Sequence, residues 1–206
     1  EIDTAVTDDP KHGEIVVFGH CVMQGYHGLE KENEAIFVER AGERGLRTGD
    51  LGYLDGEGFL HISGRIKEQY KLANGKYVVP TPLEERLSLS PFISNAMVHG
   101  ANRPYNVAVV IPDFGLLSSW AAERGLAGDP ATLVENERVR ALFAQEVEKQ
   151  SVGFKSYEKV GAFLLGAIDF TTENGMLTPT LKIRRNKVLE LYGARVDALY
   201  AAGGRP

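Results

Sequence analysis

The chain has 206 residues, 43% of them hydrophobic and 25% charged, with a net charge of −5. That length can bury a real core as one generous domain or two small ones, and the composition is that of an ordinary soluble globular protein. The acidic balance argues against a general nucleic-acid binder, which carries a basic excess, and no apolar run approaches the roughly 20 residues of a membrane helix.

The opening stretch, EIDTAVTDDPKHGE, is acidic and polar, the opposite of a presequence, and it lacks an initiator methionine. The chain is therefore expected to be an excised part of something longer. Glu14–Phe18 reads as a β-branched strand stopped by Gly19. The single cysteine, Cys21, excludes an internal disulfide and makes a reducing cytoplasm the expected setting. Within VVFGHCVM it reads as a small buried apolar residue rather than a catalytic thiol. EKENEAIFVE carries acidic, helix-like residues into an apolar piece, Ala35–Val38.

Leu51–Leu54 and Phe59–Ile62 flank an Asp55-Gly56 turn, a strong hairpin signal because such turns need positive φ. Asn74-Gly75 marks a second hairpin, and Pro80 and Pro82 open a helix over PLEERLSL. Strands are expected at Ile93–His99, Tyr105–Ile111 and Ala162–Leu165. Helices are expected at Leu116–Arg124, at Ala131–Lys149 after Asp129-Pro130, and at Lys187–Ala201, the last two from apolar residues at 3–4 residue spacing. The fold class is thus α+β. A small β-rich N-terminal piece without helices spans residues 1–65, and a compact α+β domain spans 66–206. The first piece is too poor in apolar residues to stand alone.

Several motifs fail. Asp50 to Glu57 lacks the residue order of a calcium loop, Gly56-x-Gly58 lacks the third glycine of a dinucleotide turn, and no G-x-x-x-x-G-K-[ST] loop occurs. The histidines lack paired spacing and one cysteine makes no zinc site, so no metal centre is expected. No G-x-S-x-G elbow supports a serine hydrolase.

What remains is scattered. Asp50, in RTGD, offers two acceptor oxygens to a diol such as ribose; alone, it is more simply a turn aspartate bonding its own backbone. Arg65 suits a ribose or phosphate, or equally a surface ion pair with Glu68. Lys182 lies in GMLTPTLKIRR, where Pro179 forbids regular helix and an extended loop presents the lysine as a mobile point charge. In isolation it is more simply part of a solvated basic surface with Arg184, Arg185 and Lys187. An RNA contact there is weakened by the acidic total and the lack of interleaved aromatics.

In order and spacing, these segments together resemble the C-terminal part of the adenylate-forming superfamily of acyl-CoA synthetases, luciferase and peptide-synthetase adenylation domains. GEIVVFGHCVMQGYH resembles its GE-(I/L)-x-V-x-G-x-x-V-M-x-G-Y segment. RTGDLGYLDGEGFLHISGRIKEQYKLANGKYVVPTPLE resembles its joined YRTGD and GR-x-K-(E/D) blocks, and LTPTLKIRR its terminal lysine motif. The TPTLK form and the helical insertion between Pro112 and Gly161 are most similar to the long-chain fatty acyl-CoA synthetase branch. The resemblance implies that residues 1–65 are the end of a large AMP-binding domain and 66–206 a mobile C-terminal domain.

By the same resemblance Asp50 and Arg65 bind the ribose of ATP, Lys67 is the hinge, and Gly75 lies in a hairpin lining the pantetheine tunnel of coenzyme A. Glu84 is structural, and Lys182 is the catalytic lysine bridging carboxylate and α-phosphate. A cation between those two anions lowers their repulsion. The phosphate loop, acyl pocket and Mg2+ ligand belong upstream. Fatty acid, CoA and the upstream AMP-binding domain are the implied partners, so this piece alone is expected to be silent. Membrane-surface association of the whole enzyme and self-association of this piece are further expectations. An acyl–acyl carrier protein ligase, with the basic cluster facing an acidic carrier, and a stand-alone nucleotide-binding or interaction module are the alternatives.

Overall fold

The computed structural model describes residues 1–7, 9–201 and 203. They fall into two compact units, Glu1–Gln69 and Tyr70–Pro206.

The first unit is an antiparallel sheet built on one long strand. Its strands are β1 (Ile2–Asp3), β2 (His12–Phe18), β3 (Phe37–Arg40), β4 (Glu43–Leu54) and β5 (Leu60–Arg65). β4 pairs with β2 along one edge, while β3 and β5 share its other edge, one after the other. The Asp55 turn joins β4 to β5 as expected from Asp-Gly. Its carboxylate accepts from the Glu57 and Phe59 amides, both at 2.9 Å, and pairs with His61, which holds it below its ordinary pKa. Few apolar side chains are buried here: Ile15, Val16 and Leu51. Leu54, Phe59, Leu60 and Ile62 remain exposed.

Two expectations are corrected. The unit is not free of helix, because Glu30–Ile36 forms α1, with Glu30 and Glu32 in its first turn, where acids suit the helix dipole. Asn33 of this helix pins the preceding loop by accepting from the Tyr26 amide at 2.7 Å and donating to its carbonyl at 2.9 Å. Cys21 is exposed rather than buried. The strand ends at Phe18 and Gly19 turns the chain off the sheet at φ +114, so the residues after it leave the core.

The second unit is a three-layer arrangement. After the short strands β6 (Tyr70–Lys71) and β7 (Tyr77–Val78) and helix α2 (Thr81–Leu87), a sheet forms from β8 (Ile93–His99), β9 (Asn106–Pro112) and β10 (Val160–Leu165). Its order is β10-β9-β8, with β9 central, antiparallel to β8 and parallel to β10. Every residue of β9 is buried, as a strand covered on both faces requires. Alternation divides the faces. Ala96, Val98, Ala108, Val110 and Leu165 pack with α2, α3 (Phe114–Ala122), α4 (Pro130–Glu135) and α5 (Glu137–Gln150). Met97, Val107, Val109, Ile111 and Leu164 pack with Met176, Leu177 and α6 (Arg185–Ala201). The helix expected over Ala131–Lys149 is two helices. Asn136 leaves helical geometry at ψ 129 and caps α5 by accepting from the Arg138 and Val139 amides.

Candidate functional site

Asp50 owes its position to a bulge. Between the pairs Glu14↔Leu51 and Val16↔Arg47, β4 carries more residues than β2. The surplus, Thr48-Gly49-Asp50, turns through Gly49 at φ +73, a conformation cheap only for glycine. Thr48 Oγ1 donates to the Ile15 carbonyl at 2.8 Å and accepts from the Asp50 amide at 3.0 Å. The Gly49 amide donates to Glu14 Oε1 at 3.1 Å, and Glu14 Oε2 accepts from Arg47 Nη1 at 2.5 Å. Arg47 also reaches Asp3 at 2.9 Å, as Arg40 does at 3.1 Å. The hydrogen bond to Glu14 is the main reason the Arg47 guanidinium sits above its ordinary pKa, against the opposing effect of burial. Glu14, 5% exposed, therefore ties the bulge to the sheet.

Asp50 and Arg65 are brought together as cross-strand partners, with Arg65 Nε donating to Asp50 Oδ1 at 2.8 Å. The alternative ion pair with Glu68 is not the one that places Arg65 Nε. Asp50 Oδ2 has no partner among the described residues. The two side chains are 28% and 56% exposed, so the pair is open to a ligand from solvent. Lys67 follows, exposed between the half-buried Ile66 and Glu68 of a 3-10 turn, just before the first unit ends at Gln69.

The second unit begins anchored. The Tyr70 hydroxyl donates to Asn106 Oδ1 at 2.7 Å, and Asn106 Nδ2 donates to the Tyr157 and Glu158 carbonyls at 2.9 Å. Asn106 is fully buried, and burial raises the Tyr70 phenol well above its ordinary pKa. Gly75, at φ +87, closes the β6–β7 hairpin; its amide donates to the Leu72 carbonyl and the Leu72 amide to Lys76, both at 2.9 Å.

Glu84 is the centre of a buried staple. Its oxygens take Arg185 Nη1 at 2.6 Å and Nη2 at 2.7 Å, a bidentate pair. Glu84 Oε1 also accepts from the Val98 amide at 2.7 Å, while Arg185 Nη1 donates to the Val98 carbonyl at 3.1 Å. Val98 lies on β8, the edge strand of the sheet, so the pair satisfies an edge that would otherwise be open. It also joins α2 to the first residue of α6. The expected basic surface holds for Lys182, Arg184 and Lys187, which are exposed, but Arg185 is withdrawn from it into the pair with Glu84, and Lys187 pairs with Glu190 at 2.7 Å.

Lys182 stands on a short hairpin just before that staple, flanked by a bridge between Leu177 and Ile183. The Thr178 amide donates to the Lys182 carbonyl at 2.8 Å, the Leu181 amide to the Thr178 carbonyl at 2.8 Å, and the Lys182 amide to Thr178 Oγ1 at 3.0 Å. This is a three-residue turn ending in a left-handed residue, the position glycine normally takes. Here it is Leu181 at φ +59, which costs a leucine about 1 kcal/mol. Lys182 is exposed, and its ammonium has no partner among the described residues.

Glu14, Arg47, Thr48, Thr178 and Arg185 are the positioning residues that sequence reasoning did not single out. An acid inside a β-branched strand and an arginine opening the last helix were the available signals. Among the described residues no group of three or more His, Cys, Asp or Glu is placed to hold a metal.

Comparison with known proteins completes the picture. Residues 67–203 match the family model for the AMP-binding enzyme C-terminal domain. The chain is 35% identical over 191 residues to mouse long-chain-fatty-acid–CoA ligase 5, covering 91% of this chain and 28% of that one. It is 33% identical over 204 residues to the Mycobacterium tuberculosis long-chain-fatty-acid–CoA ligase FadD15, covering 95% and 32%. Its fold superposes on the A-PCP didomain of a carboxylic acid reductase from Segniliparus rugosus, in complex with AMP, with a TM-score of 0.74 at 28% identity, covering 96% and 26%. The chain thus spans about a third or less of the length of each.

Proposed function

The chain belongs to the family of AMP-binding enzyme C-terminal domains, and from that premise we propose that it works as the C-terminal portion of an ATP-dependent long-chain fatty acid–CoA ligase. The observation that carries the reading is Lys182: an exposed ammonium, without a partner among the described residues, on a hairpin closed by three hydrogen bonds to and from Thr178 and stapled at its base through Arg185 to Glu84. Such a cation can be delivered to two anions at once and withdrawn with its domain.

In this reading the fatty acid carboxylate attacks the α-phosphorus of ATP, the bond to the β-phosphate breaks and pyrophosphate leaves with its electron pair, and Lys182 neutralises the carboxylate and α-phosphate as they approach. Asp50 and Arg65 hold the ribose, Asp50 through the oxygen that Arg65 leaves open. Ile66–Gln69, with Lys67, lies between two anchored residues, Arg65 paired on the sheet and Tyr70 bonded to Asn106. Those anchors support placing the hinge of this reading in that short segment. The Gly75 hairpin then lines the path of the CoA thiol. Mg2+, which the reaction uses to neutralise ATP, is held outside this chain. A cytoplasmic setting belongs to the same proposal.

The test is a chimera joining the upstream part of the mycobacterial ligase to this chain. Adenylation, read as fatty-acid-dependent ATP–pyrophosphate exchange, should be restored, and Lys182→Ala should cut it by about a hundredfold or more, the scale of losing one transition-state charge contact. The chain alone should give no exchange. Exchange that survives Lys182→Ala unchanged, or acyl-CoA formed by the chain alone, sinks the reading.

A further inference from the structure

We propose that Tyr70 and Asn106 are positioning residues for thioester formation: with the turn between β8 and β9, they seat the Gly75 hairpin in one place. The inference deepens the ligase reading above and rests on it.

The hairpin is too short to hold itself. β6 and β7 pair at two positions, Tyr70↔Val78 and Lys71↔Tyr77, and a two-stranded ribbon is marginal without a body to pack on. Its geometry is therefore set by what it touches. The Asn102 amide donates to the Lys71 carbonyl at 2.8 Å, and the Ala73 amide donates to the Arg103 carbonyl at 2.9 Å. Both partners belong to the turn between β8 and β9, where Asn102 takes φ +59, a conformation that asparagine tolerates. Leu72, between the two bonded residues, is buried. A side chain added at Gly100 would come within 2.5 Å of Asn106 Oδ1 and 3.0 Å of Leu72 Cδ2. Turn, hairpin and Asn106 thus meet with no space between them.

Asn106 fixes the remaining side. Its oxygen accepts from the Tyr70 hydroxyl and its nitrogen donates to the Tyr157 and Glu158 carbonyls, so both polar atoms of this buried side chain are used. An apolar pair of the same shape would fill the space equally well. What the polar pair adds is direction, since these bonds close at a single placement of the Tyr70 ring. Tyr70 is also the first residue of its unit, so the hairpin is fixed from the point where the chain enters.

In thioester formation the CoA sulfur bonds to the acyl carbon and that carbon's bond to the adenylate oxygen breaks. AMP leaves with the electron pair, and the thiol proton passes to water. A hairpin that lines the thiol's path and sways by about an ångström misplaces this attack. Lys182 stands on a different hairpin, closed by Thr178 and stapled through Arg185, so adenylation does not draw on this seat.

Two measurements test this, both on Tyr70→Phe, which keeps the ring against His99 and removes only the hydroxyl. The control is Tyr192→Phe, which removes a phenol bonded to Ile168 on the loop after β10. In the 206-residue chain, Tyr70→Phe should speed amide hydrogen exchange at Ala73 and Asn102 about tenfold. Tyr192→Phe should leave those two amides unchanged. In the chimera, Tyr70→Phe should lower kcat/KM for CoA about tenfold in thioester formation from synthetic acyl-adenylate. Its ATP–pyrophosphate exchange should change by less than about twofold. Unchanged amide exchange at Ala73 and Asn102 overturns the seat. Equal losses in both half-reactions, a loss confined to adenylation, or the same split in Tyr192→Phe overturns the positioning role. A wild-type chimera that melts cooperatively yet performs neither half-reaction overturns the ligase reading and the assignment to thioester formation with it, whatever the amides show.

Discussion

Two turns in this molecule solve one problem in opposite ways. Thr48-Gly49-Asp50 and Thr178 to Lys182 each present a polar side chain immediately after a left-handed residue, and each brackets that side chain's amide with a threonine hydroxyl. The first turn uses glycine and is tied down by ionic groups, with Glu14 and Arg47 behind it. The second uses leucine, carries its side chains in solvent, and is held at its base by a buried pair. The difference tracks what each unit offers for support: polar pinning suits the unit that buries few apolar side chains, whereas the second turn stands on a unit with two apolar clusters of its own.

The contrast breaks most visibly at the two ion pairs. Glu84→Gln leaves Arg185 facing a neutral amide at a site where the acid is only 8% exposed, and should destabilise the second unit by about 2–4 kcal/mol, discounted for the part of Arg185 that water reaches. The single tryptophan, Trp120 on α3, reports this unit alone in a urea titration. Asp50→Asn, at an open pair, should cost no more than about 1 kcal/mol, read from amide exchange in β4. Equal losses at the two positions would remove the distinction between pinned and stapled turns.

Glycine and leucine sharpen the comparison next. Nothing stands within 4 Å of a side chain added at Gly49, so Gly49→Ala measures the backbone alone and should cost the first unit about 1 kcal/mol. Amide exchange across β2 and β4 checks it; a neutral result would mean that the bulge relaxes instead of straining.

The smallest effect is a pH dependence confined to the second unit. His99 has a lowered pKa, chiefly because it is partly buried, with Arg103 and Arg185 adding to the shift and Asp197 opposing it. The Tyr70 ring also faces it, tilted at 6.3 Å. The unfolded chain therefore takes up this proton first as pH falls, and stability is lost on going below about 6.5. His99→Gln should flatten the Trp120-monitored midpoint between about pH 7 and 5 relative to wild type. An unchanged slope would assign the effect to other groups.

Much of the fold was legible because local chemistry and tertiary structure agree. Asp55-Gly56 and Asn74-Gly75 made their turns, and the apolar stripe through Val139, Phe143 and Val147 made α5. The break between α4 and α5 at Asn136 was missed because the apolar spacing runs across it. The roles of Cys21 and Arg185 depended on where the chain turns next, which periodicity does not encode. Asp50, Arg65 and Lys182 were candidates on their chemistry alone, each with a simpler structural reading, and only a resemblance spanning many segments tipped the balance. Glu14 escaped notice because a buried acid has meaning only beside the arginine and amide it meets, both a strand away.

The staple between Glu84 and Arg185 also has a bearing on how the chain is made. The two residues are 101 positions apart, so during synthesis the acid is committed to the interior long before its cation exists. Until α6 emerges, the unit holds a carboxylate without a counter-charge beside an unsealed strand edge, a state that chaperones and proteases can recognise as unfinished. The last helix thus completes the body and aims the lysine in a single late event, and a product truncated before Arg185 lacks both.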